Sequence, residues 1–313
     1  MIKRILNSRL PLMVFNPVKV FELKYFNDIY LAGGLPVYDT EFLTPDEIVK
    51  NAGILAREDF LFAIRLARCD HGLIRELKSL GLTNLDAIIV PLDDDAAPGQ
   101  ESGITDTFSG FNDTRIILEI RDVNVTEKID AVDPHALILK GNEAPGKVSK
   151  YSSFILMQWY LKNTAYPLFI HGGVGRYTSA GLFTAGVSGI VLDSQVLLTD
   201  EAPVSDRFKK LLSSVDEGDS TEITFNGTDI YRVFAKLGTK IVKDIKQEAV
   251  LLADDIQGKE KLYDLITKHM SATDRDDVEF IQSLFYLGQD GIFAKDFVKD
   301  QASLSGLISS LFK

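Results

Sequence analysis

The stretch KGNEAPGKVSKYSSF, residues 140–154, follows the apolar run Ala136-Leu137-Ile138-Leu139 and holds residue types that can do chemistry. Gly141, Ala144 and Gly146 are small enough for a loop to lie flat against a planar ligand. Lys140 would place a cation beside an electron-rich ring that gains negative charge on reduction, as a flavin does. Lys147 would donate a proton or hold an anionic substrate. The competing reading is that of solvated lysines with Glu143 as a salt-bridge partner, which adds little stability at a surface.

A second stretch, FIHGGVGRYTSAGLF (169–183), leads from an apolar run into a helical segment. Gly172, Gly173 and Gly175 permit a tight turn and close backbone approach. The free N–H groups of the following turn would face the same place, which makes an anion or phosphate site. Plain turn geometry is the alternative. His171 is a candidate acid or base, or a filler bonded to backbone. In IVLDSQVLL (190–198), Ser194 and the neighbouring N–H groups would complete a phosphate cup. Asp193 is expected to turn away or to accept a backbone hydrogen bond, since inward it would repel a phosphate. Near the start, Ala32-Gly33-Gly34 allows either close packing or ligand approach, and Asn16 closes the first apolar run. The histidines show no paired metal-ligand spacing, so no metal is expected. There is no G-x-S-x-G and no G-x-G-x-x-G after the first run, which argues against a hydrolase elbow and a Rossmann site.

These residues need elements to place them. Eight continuous apolar runs occur in the first 200 residues: 11–18, 34–41, 60–67, 86–93, 115–122, 135–142, 167–173 and 188–195. Continuous rather than alternating runs predict strands buried on both faces. Between them, 44–57, 73–82, 152–163 and 177–187 read as helices, the first with Thr44 as N-cap and Pro45 at its first position. Strand and helix in alternation predict parallel strands with right-handed crossovers. Eight strands predict a (β/α)8 TIM barrel, an α/β fold, with an open doubly wound sheet as the alternative. In a barrel, ligands sit at the C-terminal ends of the strands, where Asn16, Lys140–Lys147, His171–Gly175 and Asp193–Gln195 fall. After residue 200 the texture changes. The segment 222–236 alternates around Asn226-Gly227, a two-residue hairpin signal, and helical segments follow. The expected organisation is a barrel over 1–200, a small hairpin and helical unit over 201–285, and a C-terminal loop with helices over 286–313 returning to the barrel.

The 313 residues carry 34 Lys+Arg against 45 Asp+Glu, a formal net charge of −11. That argues against a nucleic-acid surface and against docking on anionic membrane. The single cysteine, Cys69, excludes an internal disulfide and a Cys-based zinc site. The N-terminal residues do not read as a signal peptide, and no run reaches the roughly 18 apolar residues of a membrane span. The expected compartment is the cytoplasm.

Taken together, the motifs resemble the nitronate monooxygenase family, also called the 2-nitropropane dioxygenase family, which includes FMN-dependent enoyl-acyl-carrier-protein reductases. The family's G-x-E-A-G-G-H resembles Gly141-Asn142-Glu143-Ala144-Pro145-Gly146-Lys147. Its Gly-Gly-Ile phosphate loop resembles Gly172-Gly173-Val174, and its Met-Gly-Thr aligns with Leu192-Asp193-Ser194. Its Ala-Gly-Gly resembles Ala32-Gly33-Gly34, and a late Ala-Gly-Gln resembles Leu287-Gly288-Gln289. KGNEAPGKV, VLDSQ and LGQD are most similar to a subgroup found as N-terminal domains of polyketide and polyunsaturated-fatty-acid synthases. The resemblance implies a flavoprotein barrel. Asn16, Ala32, Gly33, Lys140, Gly141, Glu143, Ala144, Gly146, Gly288 and Gln289 would lie around FMN, with its phosphate at Gly172, Gly173 and Leu192–Gln195. Lys147 and His171 are the candidate catalytic residues.

It further implies an oxidoreductase that reduces enoyl thioesters on an acyl carrier protein, with NAD(P)H as a possible reductant and other synthase domains as partners. Nitronate oxidation with O2, a degenerate barrel kept for docking or scaffolding, and binding of another phosphorylated metabolite are the alternatives. Two positions depart from the pattern. Lys147 replaces the family's histidine, and a lysine is a poor base near neutrality unless burial or a cation lowers its pKa. Pro145 replaces a glycine and removes an N–H.

Overall fold

A computed structural model describes residues 5–92, 107–108, 111, 113–216, 219–235, 239–255, 257–276, 283–299 and 302–312. Asp93, the end of the fourth apolar run, and Gly238, ahead of a predicted helix, lie outside the described residues.

The eight apolar runs are the eight barrel strands. They are β1 (Leu12–Phe15), β2 (Leu35–Asp39), β3 (Phe62–Arg65), β4 (Leu85–Pro91), β5 (Arg115–Ile120), β6 (Ala136–Lys140), β8 (Leu168–His171) and β9 (Gly189–Leu192). All neighbours are parallel, and β1 pairs with β9 through Met13 and Val191 to close the barrel. The strands are continuously apolar because both faces are covered. Met13, Phe15, Val37, Ala63, Ile89, Ile117, Ile138, Phe169 and Val191 fill the interior. Alternate positions such as Leu12, Val14, Ile64, Ile88, Leu118 and Leu139 pack outward under the helices. This is the pleat's period of two expressed on two apolar surfaces.

The helices start where local chemistry directs. Thr44 and Glu47 form a reciprocal capping box at Pro45–Leu55, with Pro45 in the first turn. The predicted 73–82 helix instead spans His71–Ser79, because the Asp70 carboxylate accepts from the N–H groups of Gly72 and Leu73. Ser152 caps Ser153–Asn163. Thr178 precedes Ser179–Ala185 without capping it; its hydroxyl donates to the Gly173 carbonyl instead.

The strand β7 (Gly146–Val148) arises inside the stretch read as a loop. It leaves the barrel and joins an antiparallel sheet in the order β10 (Ser220–Phe225), β11 (Asp229–Phe234), β7. The hairpin between β10 and β11 differs from the two-residue turn expected. Phe225 pairs with Asp229, so Asn226, Gly227 and Thr228 form a three-residue loop, with Asn226 and Gly227 at φ 49° and 71°. The helices Lys240–Leu251 and Gly258–His269 cover this sheet with Ile241, Ile245, Leu262 and Ile266. Phe285 returns to the sheet by a backbone bridge to Phe234, and the helix Leu304–Leu311 joins the outer layer of the barrel. No helix among the described residues is long and apolar enough to cross a membrane.

Candidate functional site

The C-terminal ends of the barrel strands carry a buried cluster of charge. Arg65 ends β3, and its guanidinium donates to Asp39 at 3.0 Å, to Glu41 at 2.5 Å and to Glu119 at 2.9 and 3.1 Å. Arg65, Asp39 and Glu119 are wholly buried. Lys140, at the end of β6, is also wholly buried, with its Nζ 3.9 Å from Glu119 and 3.3 Å from the Tyr286 hydroxyl. Arg121 lies 3.7 Å from Glu119, so three cations, Arg65, Arg121 and Lys140, face the carboxylates of Asp39, Glu41 and Glu119. Burial alone would raise the Glu119 pKa, but Arg65, Lys140 and Arg121 outweigh it and hold the group well below the ordinary carboxylate range. Burial pulls the Lys140 pKa down, with Glu119 acting in the opposite sense.

This cluster is the site feature that sequence reasoning missed. Arg65 and Glu119 lie within otherwise apolar runs of the sequence, and Asp39 and Glu41 at the end of another. The available signal was a charge inside or at the end of a run otherwise buried on both faces, since an interior charge needs partners.

The residues of the opening stretch are put to several uses. Gly141 N–H donates to the His171 carbonyl, and the Glu143 carboxylate accepts from Ser153 N–H at the start of a helix. The backbone and side-chain oxygens of Asn142 accept from Arg232 of β11. Gly146 has φ +76°, and a Cβ there would lie 2.3 Å from the Tyr286 ring. Tyr286 therefore packs close against Gly146 and reaches Lys140 with its hydroxyl. Lys147 is the next residue of β7, so its side chain leaves the opposite face of the strand. There it pairs with Asp229 at 2.8 Å. Lys140 and Lys147 are not brought together.

The loops after β8 and β9 do meet. His171 is buried, and its Nε2 lies 2.7 Å from Asp193. Asp193 also accepts from Ser194 N–H, so its carboxylate turns to a backbone donor and a ring as well. Burial opposes its charge, but His171 and Ser194 together hold its pKa below the ordinary value. Asp193 N–H donates to Gln195 Oε1 at 3.0 Å. Gly173 N–H donates to Asp290 at 3.2 Å, and Gln195 Nε2 donates to the same carboxyl oxygen at 2.7 Å. Gly288 N–H donates to Ser194 Oγ, and Gln289 N–H to the Glu143 carbonyl. The cluster of Gly172, Gly173, Leu192–Gln195, Gly288 and Gln289 is therefore contiguous.

Asn16 lies at the same end but is committed to backbone: its side chain accepts from Asp39 N–H and donates to the Pro17 and Val20 carbonyls. Ala32 and Gly33 lie elsewhere. They end the helix Leu23–Ala32 and precede β2, at the opposite end of the parallel barrel from Lys140. Gly33 sits at φ +104° as the helix C-cap, so its role is a chain reversal and not ligand contact.

FMN, implied by the resemblance, does not fit this arrangement. At the phosphate end, the Gly173 N–H is taken by Asp290, the Ser194 N–H by Asp193 and the Asp193 N–H by Gln195. An incoming phosphate would also meet the carboxyls of Asp193 and Asp290. At the ring end, the cavity bounded by Phe15, Asn16, Asp39, Ser194 and Tyr286 is about 10 Å³ among the described residues. That is room for about one water, whereas ligand pockets run to roughly 300–1,000 Å³. No cluster of three or more His, Cys, Asp or Glu side chains able to hold a metal occurs among the described residues.

No protein-family model and no curated protein sequence matches the chain. Solved structures do match its fold. FabK from Thermotoga maritima superposes with a TM-score of 0.76 at 14% identity, over 98% of this chain and 93% of that one. The enoyl reductase domain of MlnA, from the macrolactin biosynthesis cluster of Bacillus amyloliquefaciens, gives 0.68 at 12% identity, over 97% and 95%. A nitroalkane oxidase from Streptomyces ansochromogenes gives 0.68 at 14% identity, also over 97% and 95%. The likeness covers nearly the whole chain, which is a closed (β/α)8 barrel with the fold of these three structures.

Proposed function

We propose that this chain is a non-catalytic barrel of that fold, working as a docking or scaffolding domain. The observation that carries the reading is the filled barrel mouth. Arg65, Glu119, Lys140 and Tyr286 are buried at the strand ends, and the cavity beside Tyr286, lined also by Phe15, Asn16 and Asp39, is about 10 Å³ among the described residues. Lys147, in the place of the family's histidine, pairs with Asp229 away from the strand ends. The synthase-like motifs KGNEAPGKV, VLDSQ and LGQD support polyketide or fatty-acid synthase domains, or the carrier protein they serve, as the partners. The net charge of −11 means that an acidic carrier would need a local basic patch.

A second reading is an FMN-dependent oxidoreductase, acting on enoyl thioesters with NAD(P)H or on nitronates with O2. The order and spacing of the motifs and the fold shared with an enoyl reductase and a nitroalkane oxidase favour it. An absorbance spectrum from 300 to 550 nm separates the two, taken on purified protein mixed with FMN and passed through gel filtration. The scaffold reading predicts no flavin bands with the protein peak. Flavin retained at near one equivalent would overturn it and restore the oxidoreductase reading.

A further inference from the structure

We propose that the loops after β8 and β9 form an oxyanion cup whose ligand is the chain's own Asp290 carboxyl. Gly173 N–H and the Gln195 side-chain amide converge on one oxygen of Asp290, at 3.2 and 2.7 Å. Gln195 is itself fixed, because its amide also donates to the Val174 carbonyl and its oxygen accepts from Asp193 N–H. The donors are therefore preorganised and not drawn in by a flexible side chain. Asp290 is 1% exposed, and its second oxygen has no hydrogen-bond partner. Burying such a group is costly, and a chain that built only a turn here would have no reason to retain it. The carboxyl fills the place into which these donors point, as a bound small carboxylate or phosphate would.

The segment bearing Asp290 is clamped to the same loops. Gly288 N–H donates to Ser194, and Gln289 N–H to the Glu143 carbonyl in the loop after β6. Filling the cup thus ties the C-terminal segment to three strand ends at once. Burial, with Asp193 and Glu143 close by, pushes the Asp290 pKa well above the usual carboxylate range. The neighbouring Asp193 carboxylate is turned to His171 Nε2 and to Ser194 N–H, so the two donors of the cup are left to Asp290.

The inference deepens the reading of this barrel as one that holds no flavin, since the position a cofactor phosphate would need is already taken. The test is chemical rescue. In Asp290→Gly the thermal midpoint should fall by roughly 5 °C or more and recover saturably with added formate. Sodium chloride at the same ionic strength should not restore it, and the wild type should not respond to formate. Inorganic phosphate serves as the second probe, and recovery with either oxyanion supports the cup. An unchanged midpoint, or a fall that neither oxyanion relieves, overturns the inference.

Amide hydrogen exchange in the wild type keeps the question open to refutation if the variant does not fold. Gly173 N–H should exchange with the slow core of the barrel, and exchange at the rate of a free loop glycine would count against the carboxyl contact. A flavin-free wild type without rescue would remove this inference alone. Rescue alongside flavin held by the wild type would remove the scaffold reading alone.

Discussion

Arg65→Met should be among the most destabilising single substitutions in this protein, at about 3–5 kcal/mol. The methionine keeps most of the volume but removes the guanidinium that Asp39, Glu41 and Glu119 share. Lys140 and Arg121 remain, but at 3.9 and 3.7 Å from Glu119 they do not replace the direct contacts to Asp39 and Glu41. Two buried carboxylates lose their main counter-charge, and one oxygen of Asp39 already lacks a hydrogen-bond partner. Urea unfolding at neutral pH would read the loss directly. A midpoint unmoved from the wild type would mean that the cluster contributes nothing. The triple variant with Asp39→Asn and Glu41→Gln should recover part of the loss, because an uncompensated charge costs more than a neutral polar group.

The same cluster sets a pH dependence. Glu119 has a folded pKa below its unfolded value of about 4.3. A depressed carboxylate pKa contributes stability that is present above the unfolded value and is lost as pH falls through the folded one. Through Glu119 the wild type should therefore weaken on acidification below about pH 4.3, with Asp39 acting in the opposite sense because burial raises its pKa, and Arg65→Met should flatten the Glu119 part of the curve.

Gly141→Ala is the second large effect, and its cause is steric. Gly141 lies where the chain leaves β6, and a Cβ there would sit 2.2 Å from Ser153 N and 2.3 Å from a Glu143 carboxylate oxygen. One of those neighbours is backbone and cannot rotate aside. The added methyl must separate the loop from the helix Ser153–Asn163 or break the bond between Glu143 and Ser153 N–H. Overpacking of this kind costs roughly 1–3 kcal/mol, and the rigid neighbour places this site at the upper end. Gly181→Ala is the matched control. Gly181 lies in the helix Ser179–Ala185 with nothing near its Cβ position, so that change should be neutral or stabilising by up to about 1 kcal/mol. Thermal denaturation of the pair decides the matter: equal midpoints would show that the close approach at Gly141 is not real.

The sequence by itself determined the barrel. Eight runs such as Ala136–Lys140 and Leu168–His171 are apolar on both faces, and caps such as Thr44 and Ser152 set the helices between them. Burial on two faces writes a continuous pattern into each strand, so strand count and order are legible without contacts. The gathering of Lys140, His171 and Asp193 at one end followed from the parallel order. Tertiary structure alone decided what that end contains. Arg65 and Glu119 are 54 residues apart and Gly173 and Asp290 are 117 apart, and local pattern carries no information about such pairings. The strand at Gly146–Val148 was hidden for the same reason: three residues have no periodicity, and their edge is defined only by pairing with β11. That pairing turned Lys147 to Asp229 and brought Tyr286 against Gly146. A motif whose order resembles a cofactor loop therefore folds here around the protein's own side chains.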